Sequence, residues 1–118
     1  MQKNNIVLEK SYDFALRIVE IYKRHYSQNQ YRDLLRQLLR CGTSIGANVE
    51  EAVGGQTRKD FYAKLYIAYK EARETSYWLR LLKDSEVITI EEAESLLSDC
   101  LELRRIIGAI TRTIKNEK

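Results

Sequence analysis

The sequence contains no proline and only 5 glycines among its 118 residues. Proline forms turns in loop-rich and β-rich folds and breaks helix interiors, so its absence argues against a sandwich or barrel and suits a helical chain. Hydrophobic residues make up 44% and charged residues 31%, which is a globular composition rich in charge. The length is close to the commonest size of one domain, and we expect residues 1–118 to form a single domain.

Groups that bind metals or carry redox chemistry are scarce. The chain has one histidine, His25, and two cysteines with no CxxC spacing, so a zinc site has almost no support. Cys41 and Cys100 fall inside apolar helical patterns, which predicts two buried, reduced thiols. A disulfide or a metal pair is the less favoured alternative.

Long apolar runs are also absent. No stretch approaches the ~20 apolar residues of a membrane span. The first residues lack the apolar core of a signal peptide. We therefore expect a cytoplasmic protein that does not contact a membrane.

Apolar residues recur at spacings of three and four along most of the chain. The pattern predicts four helices at about 6–26, 30–53, 58–83 and 90–115. Gly54-Gly55 ends the second helix, Thr57 and Thr89 begin the third and fourth, and Asn29 is a candidate cap for the second. Short connections make sequential helices antiparallel, so we expect an all-α, up-down-up-down four-helix bundle.

Glycines and polar residues interrupt the second helix. Gly42 and Gly46 each cost up to about 1 kcal/mol against alanine, which indicates close approach of a neighbouring backbone. Asn48 falls on the predicted core stripe, and a buried amide needs partners. We expect a structural polar core in which Thr75 and Glu74 of the third helix approach Asn48; a functional pocket is the alternative. The predicted polar core consists of Ser44, Asn48, Glu51 and Thr75.

Catalytic signatures are missing. The glycines of residues 42–46 match no phosphate-binding loop, and the Glu-x-x-His motif of di-iron bundles is absent. Glutamates 50, 51, 71 and 74 could cluster, but without histidine they are more simply surface charge or partners of Arg73 or Lys70. We therefore expect no catalytic residues, no metal site and no cofactor.

Four tyrosines form a stripe beside the core positions of the third helix: Tyr62, Tyr66, Tyr69 and Tyr77. Tyrosine is enriched where one end of the ring is dry and the other wet, and at interfaces. The rings either edge the core or form a contact between subunits. We expect the second, and hence a homo-oligomer.

Basic residues form a second stripe. Arg32, Arg36 and Arg40 are spaced by four and share one face of the second helix. Arg24 precedes this row, and Arg58 and Lys59 lie at the other end of the helix. Such a surface predicts binding to the backbone of RNA or DNA, although a solvated basic face is the alternative. A net charge of only +3 instead favours a protein-interaction module without nucleic acid.

Two long segments carry a resemblance to a known family. Residues 37–52 read QLLRCGTSIGANVEEA, and residues 68–79 read AYKEARETSYWL. Together with Asp60-Phe61 and Ile107-Gly108-Ala109, they resemble the signatures of the bacterial 23S rRNA-intervening-sequence proteins. The likeness covers nearly the whole chain, with Cys41 standing where serine is expected.

The resemblance implies a four-helix bundle. Members are encoded in sequences that interrupt large-subunit ribosomal RNA genes. The family is similar to the accessory variability protein of diversity-generating retroelements, a homopentamer that binds nucleic acid and a protein partner. The resemblance therefore implies a homopentamer with nucleic acid or protein as partner. It transfers no catalytic residue.

Overall fold

The structure is a computed structural model that describes residues 2–28 and 30–116, with side chains described from residue 6 onward. Its helices are α1 (Gln2–Tyr26), α2 (Arg32–Val53), α3 (Arg58–Asp84) and α4 (Ile90–Lys115). Each helix packs on the next, and α4 closes against α1. This is the predicted antiparallel four-helix bundle, with extents of 49 × 21 × 20 Å.

The core lies along the bundle axis and follows the predicted apolar stripes. Its largest fully buried side chains include Phe14, Ile18, Ile45, Leu79 and Ile107. Small residues in the middle of α3, such as Ala68 and Ala72, are also fully buried. They allow α2 and α4 to approach α3 closely.

The helix ends follow the predicted capping residues at the three places that the described chain tests. Thr57 Oγ1 accepts from the Asp60 backbone N–H at 3.0 Å, and Thr89 with Glu92 forms a full capping box. Gly54 caps the end of α2. The predicted cap Asn29 lies outside the described residues.

The start of α2 is later than the sequence pattern indicates. The helix begins at Arg32 rather than at residue 30, and no side chain caps it. Arg32 Nε donates to the carbonyl of Tyr26, the last residue of α1, at 2.9 Å. The guanidinium therefore ties the first turn of α2 to the end of α1.

The glycines of α2 mark where α1 crosses it. A Cβ on Gly46 would lie 3.2 Å from the backbone carbonyl oxygen of Ser11. The predicted close approach of a neighbouring backbone is confirmed at this position. The absence of a side chain allows the two helices to pack backbone against backbone.

Both cysteines are free and buried, as predicted. Burial raises the pKa of the Cys41 thiol to about 11. Burial also raises the pKa of Cys100, whose Sγ donates to the Ala72 carbonyl at 3.3 Å. Both groups are therefore neutral thiols at neutral pH. Among the described residues, no helix has the length and apolarity needed to cross a membrane.

Candidate nucleic-acid interface

The arginines of the α2 row, Arg32, Arg36 and Arg40, lie on the outer surface of α2 as predicted, but each is engaged within the chain. The Arg32 and Arg36 guanidinium groups lie over the Tyr26 ring, 4.9 and 5.6 Å from its centroid. Arg36 also pairs with Asp33 at 2.9 Å and donates to the Tyr26 hydroxyl. The Asp33 carboxylate offsets the charge of Arg36, whereas the Tyr26 ring and the carbonyls of Tyr26 and Ser27 hold Arg32 against the end of α1.

Arg40 is paired most fully. Its guanidinium forms ion pairs with Glu71, at 3.5 Å, and with Glu74, both on α3. Glu74 also accepts from the Trp78 indole N–H at 3.1 Å. The two glutamates are thus partners of Arg40, rather than of Arg73 or Lys70 as one sequence interpretation had it. Arg40 links α2 to α3.

The remaining predicted basic residues are separated. Arg24 pairs with Glu92 at 2.6 Å, next to α4. Arg58 and Lys59 are exposed in the first turn of α3, at the opposite end of the bundle from Arg24. The six predicted residues therefore do not form one continuous basic surface.

A different basic surface lies on the outer side of α3 and α4. Tyr66, Tyr69, Arg73, Tyr77 and Arg80 are spaced by three and four and share the outer face of α3. Tyr69 also lines a shallow groove of about 600 Å³ with residues of α4. That groove contains Leu101, Arg104, Arg105, Ala109 and Arg112.

We call the arginines of this surface the α3–α4 arginine face: Arg73, Arg80, Arg104, Arg105 and Arg112. Across residues 2–28 and 30–116, none of the five has a carboxylate within 4 Å. Arg104 donates to Ser76 Oγ at 3.5 Å, and the other four are exposed. Their charge is therefore directed to solvent.

The predicted tyrosine stripe lies on this same face. The rings of Tyr62 and Tyr66 stack with centroids 6.0 Å apart, and Tyr66 and Tyr69 follow at 6.3 Å. Tyr69 packs over Gly108 of α4, where a Cβ would lie 3.1 Å from its ring. Tyr77 meets Trp78 edge to face at 5.4 Å. Tyr66 and Tyr77 are 44% and 49% exposed, whereas Tyr62 and Tyr69 are half-buried.

The predicted polar core holds only in part. Asn48 Nδ2 donates to the Ser44 carbonyl at 2.9 Å and to Ser44 Oγ at 3.1 Å, both within α2. Thr75 is fully buried and donates to the Glu71 carbonyl of its own helix. Each helix therefore satisfies these groups from its own backbone, without the predicted bond between Asn48 and α3.

The prediction that Glu51 belongs to the polar core is wrong. Its side chain is 65% exposed and lies 3.7 Å from the Lys64 ammonium, outside the core. The free energy of an ionised carboxylate is much more favourable in water than in an apolar interior. Position 51 turns it toward solvent and α3.

No metal site is built from the described side chains. No group of three or more His, Cys, Asp or Glu residues among them could hold an ion. His25 instead pairs with Glu92 at 2.8 Å. A wide, open depression at the α3–α4 turn is lined by His25 and residues 83, 84 and 86–90, but Lys83 there is paired with Glu94 at 2.9 Å.

Comparison with known proteins places this geometry in a family. The family model described as 23S rRNA-intervening sequence protein matches residues 3–109. The chain belongs to the 23S rRNA-intervening sequence protein family. A solved structure of a protein of unknown function from the S23 ribosomal protein family of Bacteroides thetaiotaomicron VPI-5482 is similar over 93% of this chain and 98% of that one. The two share 46% sequence identity with a TM-score of 0.89. Among curated proteins, no sequence matches the chain.

The segments that carry the likeness to the 23S rRNA-intervening sequence proteins pack against each other. Residues 37–52 lie in α2 and residues 68–79 in α3, and the Arg40 ion pairs join them. Cys41 of the first segment contacts Thr75 of the second. These residues build the α2–α3 contact, whereas Arg73 is the one member of the α3–α4 arginine face that lies in either segment.

Sequence reasoning missed that face because its arginines belong to two helices. The α2 row is visible in one helix as a spacing of four. Arg105 and Arg112 are seven apart on α4, and only the packing of α4 on α3 brings them into one groove with Tyr69. The available signal was the run of tyrosines and arginines at spacings of three and four along α3.

Proposed function

We propose that this chain is a non-catalytic, homo-oligomeric, cytoplasmic protein that binds nucleic acid, RNA or DNA, through the α3–α4 arginine face. The observation that supports it is the set of five arginines that have no carboxylate partner in the described chain and that share the outer surface of α3 and α4 with the α3 tyrosines. Guanidinium groups bind phosphate oxygens in a bidentate manner, and that planar geometry suits a nucleic-acid backbone.

The distribution of charge supports this proposal more than the total does. A net charge of +3 is low for a nucleic-acid-binding domain. Carboxylates of α4 pair with arginines of α1, as in the Arg17–Asp99 and Arg24–Glu92 pairs. The arginines of the α3–α4 arginine face have no carboxylate partner among the described residues, so their charge attracts a polyanion locally.

Self-association would multiply that surface. On α1, Tyr12 is 62% and Leu16 49% exposed, and both point away from the core. Burying these side chains between copies removes apolar area from water, and each added copy repeats the arginine face. Weak phosphate contacts then add along one nucleic-acid strand. The earlier prediction that the α3 tyrosines form the subunit contact stays a prediction and competes for the same face.

Charge reversal tests the binding surface. The pair Arg105→Glu and Arg112→Glu is compared with the matched pair Arg32→Glu and Arg36→Glu on α2. Fluorescence anisotropy with labelled RNA and labelled DNA at fixed salt should show binding weakened by roughly tenfold or more for the first pair and little changed for the second. Circular dichroism melting verifies that both variants fold.

If the Arg32 and Arg36 variant loses binding and the Arg105 and Arg112 variant does not, the binding site is the α2 row. Failure of the parent protein to bind either nucleic acid at low salt would refute the proposal.

Light scattering tests the assembly. The parent should have a mass several times that of one chain, and Leu16→Glu should lower it, whereas the exposed control Ile90→Glu at the start of α4 should not.

A protein-interaction module is the second candidate, favoured by the same exposed Tyr12 and Leu16 on α1. In that case, the parent is monomeric and Leu16→Glu abolishes a nuclease-resistant pulldown.

A further inference from the structure

Two aromatic rings on the α3–α4 arginine face are oriented by their neighbours yet open to solvent. Tyr66 stands between Tyr62 and Tyr69, with centroid distances of 6.0 and 6.3 Å. Tyr77 is held edge to face by Trp78 at 5.4 Å. Both rings are nearly half exposed in the folded bundle, and the Lys70 ammonium lies over the Tyr66 ring, 6.0 Å from its centroid.

The arginines lie among these rings. Arg73 falls between Tyr66 and Tyr77 on the same stripe of α3, and the groove beside Tyr69 carries Arg104, Arg105 and Arg112. Tyr66 and Tyr77 are separated by 11 positions, which corresponds to roughly 16 Å along a helix. A ligand that contacts both the arginines and the two rings must therefore offer repeated negative charges and planar groups over that length.

Single-stranded nucleic acid has this combination, and a duplex does not. The bases of a duplex are stacked on one another and only its phosphates reach a protein surface of this shape. Free bases of a single strand stack on aromatic side chains with little sequence preference. The exposed rings among the arginines would therefore have no base to stack on in a duplex.

We propose that the α3–α4 arginine face selects single-stranded over double-stranded nucleic acid by stacking bases on Tyr66 and Tyr77. This inference rests on the proposed function and adds the structural class of the ligand. The phosphates of the strand lie on Arg73 and on the arginines of the α4 groove. Stacking supplies the preference, because both forms of nucleic acid offer phosphates to the same arginines.

A second copy of this chain fits the face less well. A symmetric contact would place five arginines without carboxylate partners against five more, and like charges across an interface repel each other. A head-to-tail contact would have to use carboxylates such as Glu9, Asp13 and Glu20, which lie on α1 beside Leu16. That arrangement is distinguished by the experiment below.

The test compares one short oligonucleotide as a labelled single strand and as a duplex, at equal salt, with the purified full chain. The parent should bind the single strand more tightly. The double variant Tyr66→Ala/Tyr77→Ala should weaken single-strand binding by roughly tenfold or more, with duplex binding unchanged. Tyr66→Phe/Tyr77→Phe keeps the rings and should bind as the parent does. Tyr31→Ala removes an exposed ring (52% accessible) at the start of α2, outside both the α3–α4 arginine face and the proposed contact between copies, and should have no effect.

The possible failures differ. If single strand and duplex bind equally and the alanine variant changes neither, stacking is refuted while phosphate binding through the arginines stands. If the parent binds neither form, the proposed function falls together with this inference. If the alanine variant instead lowers the mass in light scattering without nucleic acid, the rings form a contact between copies and the inference is refuted.

Discussion

The side chain of Ile18 on α1 lies directly over Gly42 on α2. A Cβ on Gly42 would be 2.8 Å from Ile18 Cγ1 and 3.0 Å from both Cδ1 and Cγ2. Ile18 is fully buried, so its branched side chain has no free space into which to move. The glycine that is unfavourable for the isolated helix is therefore required by the packing of α1 on α2.

Gly42→Ala should destabilise the bundle by about 1–3 kcal/mol through overpacking, despite the better helix propensity of alanine. Urea unfolding followed by circular dichroism measures the change. Gly54→Ala is the matched control, because a Cβ there meets only carbonyl oxygens at 3.5 and 3.9 Å. That variant should lie within about 0.5 kcal/mol of the parent.

A double-mutant cycle verifies the cause. In an Ile18→Ala background the space above Gly42 is open, so Gly42→Ala should lose most of its cost. Equal costs in both backgrounds would show that the contact with Ile18 is not responsible.

The bundle was predictable from the sequence because each signal for it is local. Phe14 and Ile18 are four apart and share a helix face, and Thr89 with Glu92 marks a helix start within four residues. The electrostatics of the surface were not predictable in this way. Whether Arg40 is free or paired depends on Glu71 and Glu74, which are distant in sequence and adjacent only once α2 packs on α3. The same dependence on packing hid the α3–α4 arginine face.

Arg40 should therefore act in stability rather than in binding. Arg40→Ala removes ion pairs that are partly exposed, so unfolding free energy should fall by no more than about 1 kcal/mol. Arg40→Glu places a third carboxylate beside Glu71 and Glu74 and should cost more. Urea unfolding measures both changes, and anisotropy with nucleic acid should be close to that of the parent for Arg40→Ala. If Arg40→Ala strongly weakens nucleic-acid binding and leaves stability unchanged, Arg40 belongs to the binding surface.

Glu92 makes the start of α4 sensitive to acid. Burial by itself would raise the pKa of Glu92, but hydrogen bonds from the Thr89 backbone N–H and from His25 lower it below the ordinary value of 4.5. The unfolded chain therefore binds the proton more readily than the folded one. The resulting stabilisation is present above pH 4.5 and is lost as the pH falls through the lower folded-state pKa.

The variant Glu92→Gln should accordingly be less stable than the parent at neutral pH, and the difference should shrink as the pH falls below 4.5. Urea unfolding over a pH series measures it. Glu91→Gln, in the same turn but exposed, serves as the control and should show no such convergence. A pH-independent difference for Glu92→Gln would mean that its carboxylate charge is not what stabilises the helix start.

The buried thiols should resist modification in the folded protein. Burial raises the pKa of Cys41 to about 11, so its reactive thiolate is scarce at mildly alkaline pH, and Cys100 is equally enclosed. A chromogenic disulfide reagent should react slowly with the native chain and rapidly with both thiols in urea. Fast reaction of one thiol in the native state would reveal local opening of the α2–α3 or α3–α4 contact. Cys41→Ser, which replaces the thiol by a more polar hydroxyl, leaves Cys100 as the only reporter and identifies which contact opens.

The salt dependence of binding reports how many arginines contact phosphate. Releasing counterions from Z phosphates makes the logarithm of the association constant fall with the logarithm of salt, with a slope of about −0.7Z for single strands. If Arg105 and Arg112 each contact one phosphate, Arg105→Gln and Arg112→Gln should each make the slope shallower by about 0.7. Arg36→Gln is the matched control, because its guanidinium is already paired with Asp33 and Tyr26, and its slope should equal that of the parent. Equal slopes for all three variants would mean that the face attracts nucleic acid only through its overall field, without direct contact between these guanidinium groups and phosphate.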